Sequence, residues 1–214
     1  HTINHPSISI RNLSFNPKKD ELSWLSSNDT TKQKAFELQI FDFSKEKSLR
    51  QIQHPKDSTY CFSENQNLTY SKDGMYLYYG IKKTPKTELK DSLTDSEKVK
   101  LDLWHYRDKR LQPQQLKEST RDSKQKELCI LNLQNDQSFL LSNDTLHVSL
   151  EEDLKGSYLQ AWSNEAYALS YQWDMSGKRD YYRISIVDGS SELIKKEVSF
   201  AAVLAPSGNY FTYY

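Results

Sequence analysis

The chain has 214 residues, 36% of them hydrophobic and 27% charged, with Lys plus Arg equal to Asp plus Glu at 29 each. That length can bury one sizeable core, and the even charge balance excludes the basic stripe of a nucleic-acid binder. No apolar run approaches the length of a bilayer span, and the two cysteines, Cys61 and Cys129, are too few for a disulfide scaffold and are expected as buried thiols.

Fourteen Tyr and four Trp favour half-buried strand surfaces over helices. At the N-terminus, Ile8 and Ile10 alternate with polar residues enough for one edge strand. The first unit is expected over 11–53, with strands at 11–15, 20–25, 35–43 and 47–53. Phe36, Leu38 and Ile40 share one face there, and Asn28-Asp29-Thr30 forms a loop. The second unit, 66–142, has strands at 66–71, 75–81, 127–133 and 137–142. Between its second and third strands lies an excursion over 83–125, too long to be a featureless connection. Its first half is charged and reads as an exposed loop. In its second half Val99, Leu101 and Leu103 alternate with polar residues, a strand signature that runs into Trp104-His105-Tyr106-Arg107-Asp108. Leu111-Gln112-Pro113-Gln114-Gln115 and a polar return follow. The third unit, 157–197, is expected as strands 157–162, 166–173, 180–187 and 191–197. Asn135-Asp136 and Asp188-Gly189 mark tight turns. A fourth unit begins at Phe200 and runs to Tyr214.

One stretch repeats in phase. Tyr70-Ser71-Lys72-Asp73-Gly74-Met75-Tyr76-Leu77 reads as strand, turn, strand. The pattern returns at Phe15–Leu22, at Trp162–Leu169 and at Leu204–Phe211. Repeats of roughly 40–50 residues with several strands each indicate propeller blades. The expected fold is therefore all-β, a partial β-propeller of about three and a half four-stranded blades with a long insertion in the second. An unclosed arc leaves bare strand edges. A piece of a longer polypeptide is expected, or edges that meet a second copy as a homodimer.

No catalytic residue, cofactor site or metal site is expected in this chain. Gly189-Ser190-Ser191-Glu192 lacks the second glycine of a nucleophile elbow, and the six glycines lie too far apart for a phosphate-cradling loop. His1 and His5 form the one His-x-x-x-His pair and read as a terminal tail. His105 lies near Asp102 and Asp108 in sequence, so an imidazole–carboxylate pair is conceivable. With no nucleophile nearby, a structural histidine at a blade edge is the preferred reading. Glu151-Glu152-Asp153 reads as a solvated acidic turn, and Tyr76, Tyr78, Tyr79, Tyr171, Trp173, Tyr181 and Tyr182 read as blade packing.

The succession Asp102-Leu103-Trp104-His105-Tyr106-Arg107-Asp108, then Leu111-Gln112 and Gln115, resembles a segment in the propeller domains of bacterial enzymes of the prolyl oligopeptidase family, of acylaminoacyl- and dipeptidyl-peptidase type. Ser63-Glu64-Asn65, Trp173-Asp174, Arg179-Asp180-Tyr181-Tyr182 and Ala205-Pro206-Ser207-Gly208-Asn209-Tyr210 are similar to the same group. Asp102, Trp104, His105, Asp108, Gln112 and Gln115 are the residues carried by the resemblance. It implies an N-terminal propeller that caps a C-terminal α/β-hydrolase domain of the same parent chain and restricts access to short peptide substrates. It also implies a periplasmic or otherwise exported bacterial protein. No catalytic residue carries over, because the Ser, Asp and His of the family lie in the hydrolase domain. Lys19 and Ala166 stand where the repeat expects a turn glycine, and no Glu pair matches the amine-binding motif of dipeptidyl peptidases. The expected function is the non-catalytic propeller portion of a serine peptidase-like hydrolase. The alternative is a freestanding propeller that binds a protein or glycan, chiefly through loop 83–98.

Overall fold

A computed structural model describes residues 7–44, 48–85, 105, 107–150, 156–174 and 177–214. His1, His5, the loop 86–98, the expected strand at Val99–Leu103 and Glu151-Glu152-Asp153 lie outside the described residues.

β1 (Ser9–Phe15), β2 (Glu21–Ser27), β3 (Glu37–Asp42) and β4 (Ser48–Ile52) pair antiparallel in chain order as one four-stranded sheet. In the second sheet, β5 (Tyr60–Phe62) and β6 (Thr69–Tyr70) pair with opposite halves of β7 (Tyr76–Lys83). β8 (Glu127–Asn132) and β9 (Gln137–Leu140) complete it. The segment between β5 and β6 crosses β7 at Gly80, where a Cβ would come within 2.5 Å of the Gln66 Cβ; only glycine lets the backbone pass so closely. The third sheet is β10 (His147–Val148), β11 (Tyr158–Ser163), β12 (Arg179–Ser185) and β13 (Ser191–Val198). A further hairpin follows, β14 (Ala202–Leu204) with β15 (Phe211–Tyr213).

Alternation along the middle strands decides how the sheets stack, because successive side chains point to opposite faces. Leu77, Tyr79 and Ile81 of β7, with Cys129 and Leu131 of β8, join Leu25, Leu38, Ile40 and Ile52 of the first sheet in one buried cluster. The intervening residues Tyr78, Leu128 and Ile130 face the other way and pack with Leu159, Ala161 and Ile184 of the third sheet. Each such Leu or Ile, fully buried, contributes about 1.5–3 kcal/mol. The third sheet meets the final hairpin in turn: Gln160 Nε2 donates to the Ala202 carbonyl at 3.1 Å, and Leu204 N donates to Gln160 Oε1 at 2.7 Å. Antiparallel sheets of four or five strands stacked face on face in chain order make an all-β partial propeller.

Three of the four in-phase hairpins close with one register. Phe15 pairs with Leu22, Tyr70 with Leu77 and Leu204 with Phe211. Asn16 N, Ser71 N and Ala205 N each donate across the turn, to the carbonyls of Glu21, Tyr76 and Tyr210 at 2.9, 2.9 and 2.8 Å. Gly74 and Gly208 sit at φ +69° and +72°, a conformation that costs glycine little. In the first unit Lys19 holds the glycine position, and the Asn16 side chain ties the turn together: its Oδ1 accepts from Lys18 N at 3.0 Å, and its Nδ2 donates to Glu21 Oε2 at 2.9 Å and to the Gly74 carbonyl at 3.1 Å. Arg50 extends this buried polar seam between blades, reaching Glu21 Oε1 at 3.5 Å and Asp136 Oδ1 at 3.0 Å.

The third unit departs from expectation. Residues 166–173 form no strand; the chain takes 3-10 turns at Glu165–Tyr167 and Ser170–Gln172. β11 pairs directly with β12, Trp162 opposite Tyr181 and Ser163 opposite Asp180. The fourth strand of that blade is instead the two-residue β10, too short for periodicity to reveal. Likewise the second blade starts at β5, before the expected 66. The excursion holds α1 (Gln112–Asp122), where a polar return was expected. The turns at Asp136 (φ +56°) and Gly189 (φ +71°) stand where the sequence placed them.

Candidate functional site: an arm from blade two on the rim of blade three

The residues carried by the family resemblance fall on the excursion between β7 and β8. Asp102 and Trp104 lie outside the described residues. The carboxylate of Asp108 accepts from His105 N at 2.7 Å, and Asp108 N donates to the His105 carbonyl at 2.8 Å. Arg107 N donates to His105 Nδ1 at 3.2 Å, which requires the ring proton, when neutral, to be on Nε2. Both side chains thus brace a backbone turn.

That turn leads into α1. Pro113 stands in its first turn, where a missing N–H costs nothing, and Gln112, half-buried, opens the helix. Gln115 Nε2 donates back to the Arg110 carbonyl at 2.8 Å. Arg110 then lies along the helix and binds Glu118 Oε2 at 2.9 Å and Asp122 Oδ2 at 2.8 Å. Those hydrogen bonds from Arg110 hold both carboxyls below their usual range. α1 buries no residue of its own. Its place is set by this Arg110 brace and by what the preceding turn touches.

What it touches is the stretch of blade three that left the repeat. Lys109 pairs with Glu165, and Gln172 Nε2 donates to the Asp108 carbonyl at 3.0 Å. The 3-10 stretch is itself tied down, because Tyr167 donates its hydroxyl to Asp180 Oδ1 at 2.6 Å. Asp180 also accepts from Glu197 N at 3.1 Å. Burial, with the bond to Asp180, pushes the Tyr167 phenol up to about 12. Beside it, Tyr171 and Trp173 are exposed, against their expected role in blade packing, whereas Tyr78, Tyr79 and Tyr181 are buried as expected.

The structure therefore gathers His105, Asp108 and Gln115 into one braced arm. Lys109, Arg110, Glu165 and Gln172, which the sequence reading passed over, supply its anchors. Among the described residues there is no cluster of three metal-ligating side chains. Both cysteines are free and buried, and burial raises the Cys129 thiol to about 12, far from a reactive thiolate. No helix among the described residues is long and apolar enough to cross a membrane.

No known family pattern and no curated protein matches the chain. Among solved structures it is similar to an acylaminoacyl peptidase from Pyrococcus horikoshii, at 10% identity and a TM-score of 0.43, over 91% of this chain and 26% of that one. It is also similar to the β-propeller domain of the Trilobed protease from Pyrococcus furiosus, at 11% identity and 0.39, over 90% and 46%. For a putative TolB from Agrobacterium tumefaciens the values are 10% and 0.35, over 90% and 50%. The chain thus spans between a quarter and a half of these proteins.

Proposed function

We propose that this chain is the non-catalytic propeller portion of a serine peptidase-like hydrolase. In this reading a C-terminal α/β-hydrolase domain of the same parent chain does the chemistry on short peptides, and the propeller limits which peptides reach it. The observation that carries the reading is the arm itself. The segment that resembles the family, His105–Asp108 with Gln112 and Gln115, is the segment whose bonds span from blade two to the rim of blade three. A rigid scaffold that holds a loop-borne element in place is the usual setting for recognition. Chemistry supplied elsewhere is in keeping with the described residues, whose thiols are buried and whose one arm histidine is engaged by backbone. In this reading the parent protein is a periplasmic or otherwise exported bacterial protein.

The test is to express the complete gene product and label it with a fluorophosphonate. A single labelled serine in a domain after the propeller, lost on mutation of that serine together with peptidase activity, supports the reading. A product without a nucleophile elbow after the propeller overturns it. A second reading, a freestanding propeller that binds a protein partner or pairs with its own copy, draws on the exposed Tyr171 and Trp173 beside the arm. It gains if the gene product ends once the blades close a ring.

A further inference from the structure

We infer that the groove beside the C-terminal end of α1 binds a carboxylate-rich peptide segment with an apolar end. A cavity of ≈ 500 Å3 opens there, and five lysines line it from separate parts of the fold. Lys32 comes from the β2–β3 connection, Lys82 and Lys83 from the end of β7, and Lys124 and Lys126 from the link between α1 and β8. Four acids share the wall: Glu64, Asp122, Glu127 and Asp144. Three of these are neutralised from within the protein, Glu64 by Lys82, Asp122 by Arg110, and Glu127 by Lys56 at 2.6 Å. Lys126 donates to the Asn65 carbonyl at 2.7 Å, which fixes its ammonium without cancelling the charge. Among the described residues Lys32, Lys83 and Lys124 have no ion-pair partner, so the groove carries surplus positive charge although the whole chain carries none.

The shape narrows the ligand. A second cavity of ≈ 370 Å3 shares Gln125, Lys126 and Asp144 with the first and continues to Leu128, Val148 and Leu150. An extended segment lying along both would set acidic side chains against the lysines and an apolar side chain against these three. Concave sites with an apolar lining and a few placed charges favour such mixed ligands. A polynucleotide has no use for the apolar half, and the balanced net charge gives it no long-range attraction. The inference goes beyond the peptidase reading and holds with or without a hydrolase domain.

Fluorescence anisotropy with a leucine-led oligoglutamate peptide tests it, with a leucine-led oligolysine peptide and oligothymidylate as the other probes. The oligoglutamate peptide is expected to bind and the other two are not, and raising the salt is expected to weaken binding. Lys83→Glu combined with Lys124→Glu is expected to weaken it roughly tenfold or more, and Lys32→Glu alone about threefold. Reversing Lys195 and Lys196, exposed on β13, is expected to change it less than about twofold. Equal binding of the oligolysine peptide, tighter binding of oligothymidylate, or an equal loss in the Lys195/Lys196 variant would each overturn the inference.

Discussion

Ser71–Gly74 and Ser163–Ala166 occupy the same place in the repeat, yet one closes a hairpin and the other opens a platform. At the first, Gly74 takes φ +69°, its carbonyl accepts from Asn16 Nδ2 at 3.1 Å, and the strands on either side meet at Tyr70 and Leu77. At the second, Ala166 stands in the glycine position. The chain winds into 3-10 turns, with Tyr167 N donating to the Asn164 carbonyl at 2.9 Å. A left-handed turn residue with a Cβ costs roughly 1 kcal/mol, enough to favour the competing turn where nothing repays it. The first blade avoids that cost: Lys19, at the glycine position, takes no positive φ, and Asn16 side-chain bonds hold the same register. The departure in blade three frees Glu165 and Gln172 from strand pairing and makes them the landing site of the arm.

The largest expected effect breaks the first member of this comparison. Gly74→Ala would place a Cβ 2.4 Å from Asn16 Oδ1 and 2.9 Å from Lys18 Cβ at a positive φ. A loss of about 2–4 kcal/mol is expected in urea or thermal unfolding. Ala166→Gly, its mirror, should change stability by less than about 1 kcal/mol and should not create a hairpin. Next comes the seam that ties the first hairpin to its neighbour. Arg50→Ala leaves the buried Glu21 carboxylate with Asn16 as its remaining partner, and a loss of about 1–3 kcal/mol is expected. Tyr167→Phe removes the hydroxyl bond to Asp180 that pins the platform. It should cost about 1 kcal/mol and speed amide exchange at 165–172 before any global change.

A pH profile sharpens the comparison on the blade-three side. His147 stacks on Trp162, ring centroids 4.5 Å apart, and Trp162 in turn lies under Arg179 at 4.2 Å. Burial first, and then Arg179, lower its pKa from 6.5, with Asp144 opposing. The unfolded chain therefore binds more protons over a window that starts near 6.5 and runs down to the lower folded value. Stability should fall as pH drops through that window. His147→Phe keeps a ring on Trp162 and should flatten the profile there. It should leave the deeper acid loss, from carboxyls lowered by their partners such as Glu118 and Asp122, unchanged.

Much of the fold was legible because buried strands write their pattern into the sequence, alternating where one face is buried and running apolar where both are. Leu77, Tyr79 and Ile81 on one side and Tyr78 on the other record a sheet buried on both faces. The hairpins at Gly74 and Gly208 were legible for a different reason, namely that turn glycines have one job. β5 and β10 were missed because strands of two or three residues carry no period. α1 was missed because it packs no apolar stripe; its signals were Pro113 and the four-residue spacing of Glu118 and Asp122 under Arg110. At the site, His105, Asp108 and Gln115 could be named in advance from a local motif. Glu165 and Gln172 could not, since their partners lie more than fifty residues away in sequence.

The smallest effect on stability belongs to the anchor, an exposed ion pair and one amide bond worth about 0–2 kcal/mol together, and it is the most informative. Hydrogen exchange by mass spectrometry on the wild type and on a Glu165→Gln, Gln172→Ala double variant tests whether the arm is held by blade three. The account predicts faster exchange at 107–122, distant in sequence from both substitutions, with β7 and β8 unchanged. Unchanged exchange at 107–122, with differences confined to 163–174, would contradict it.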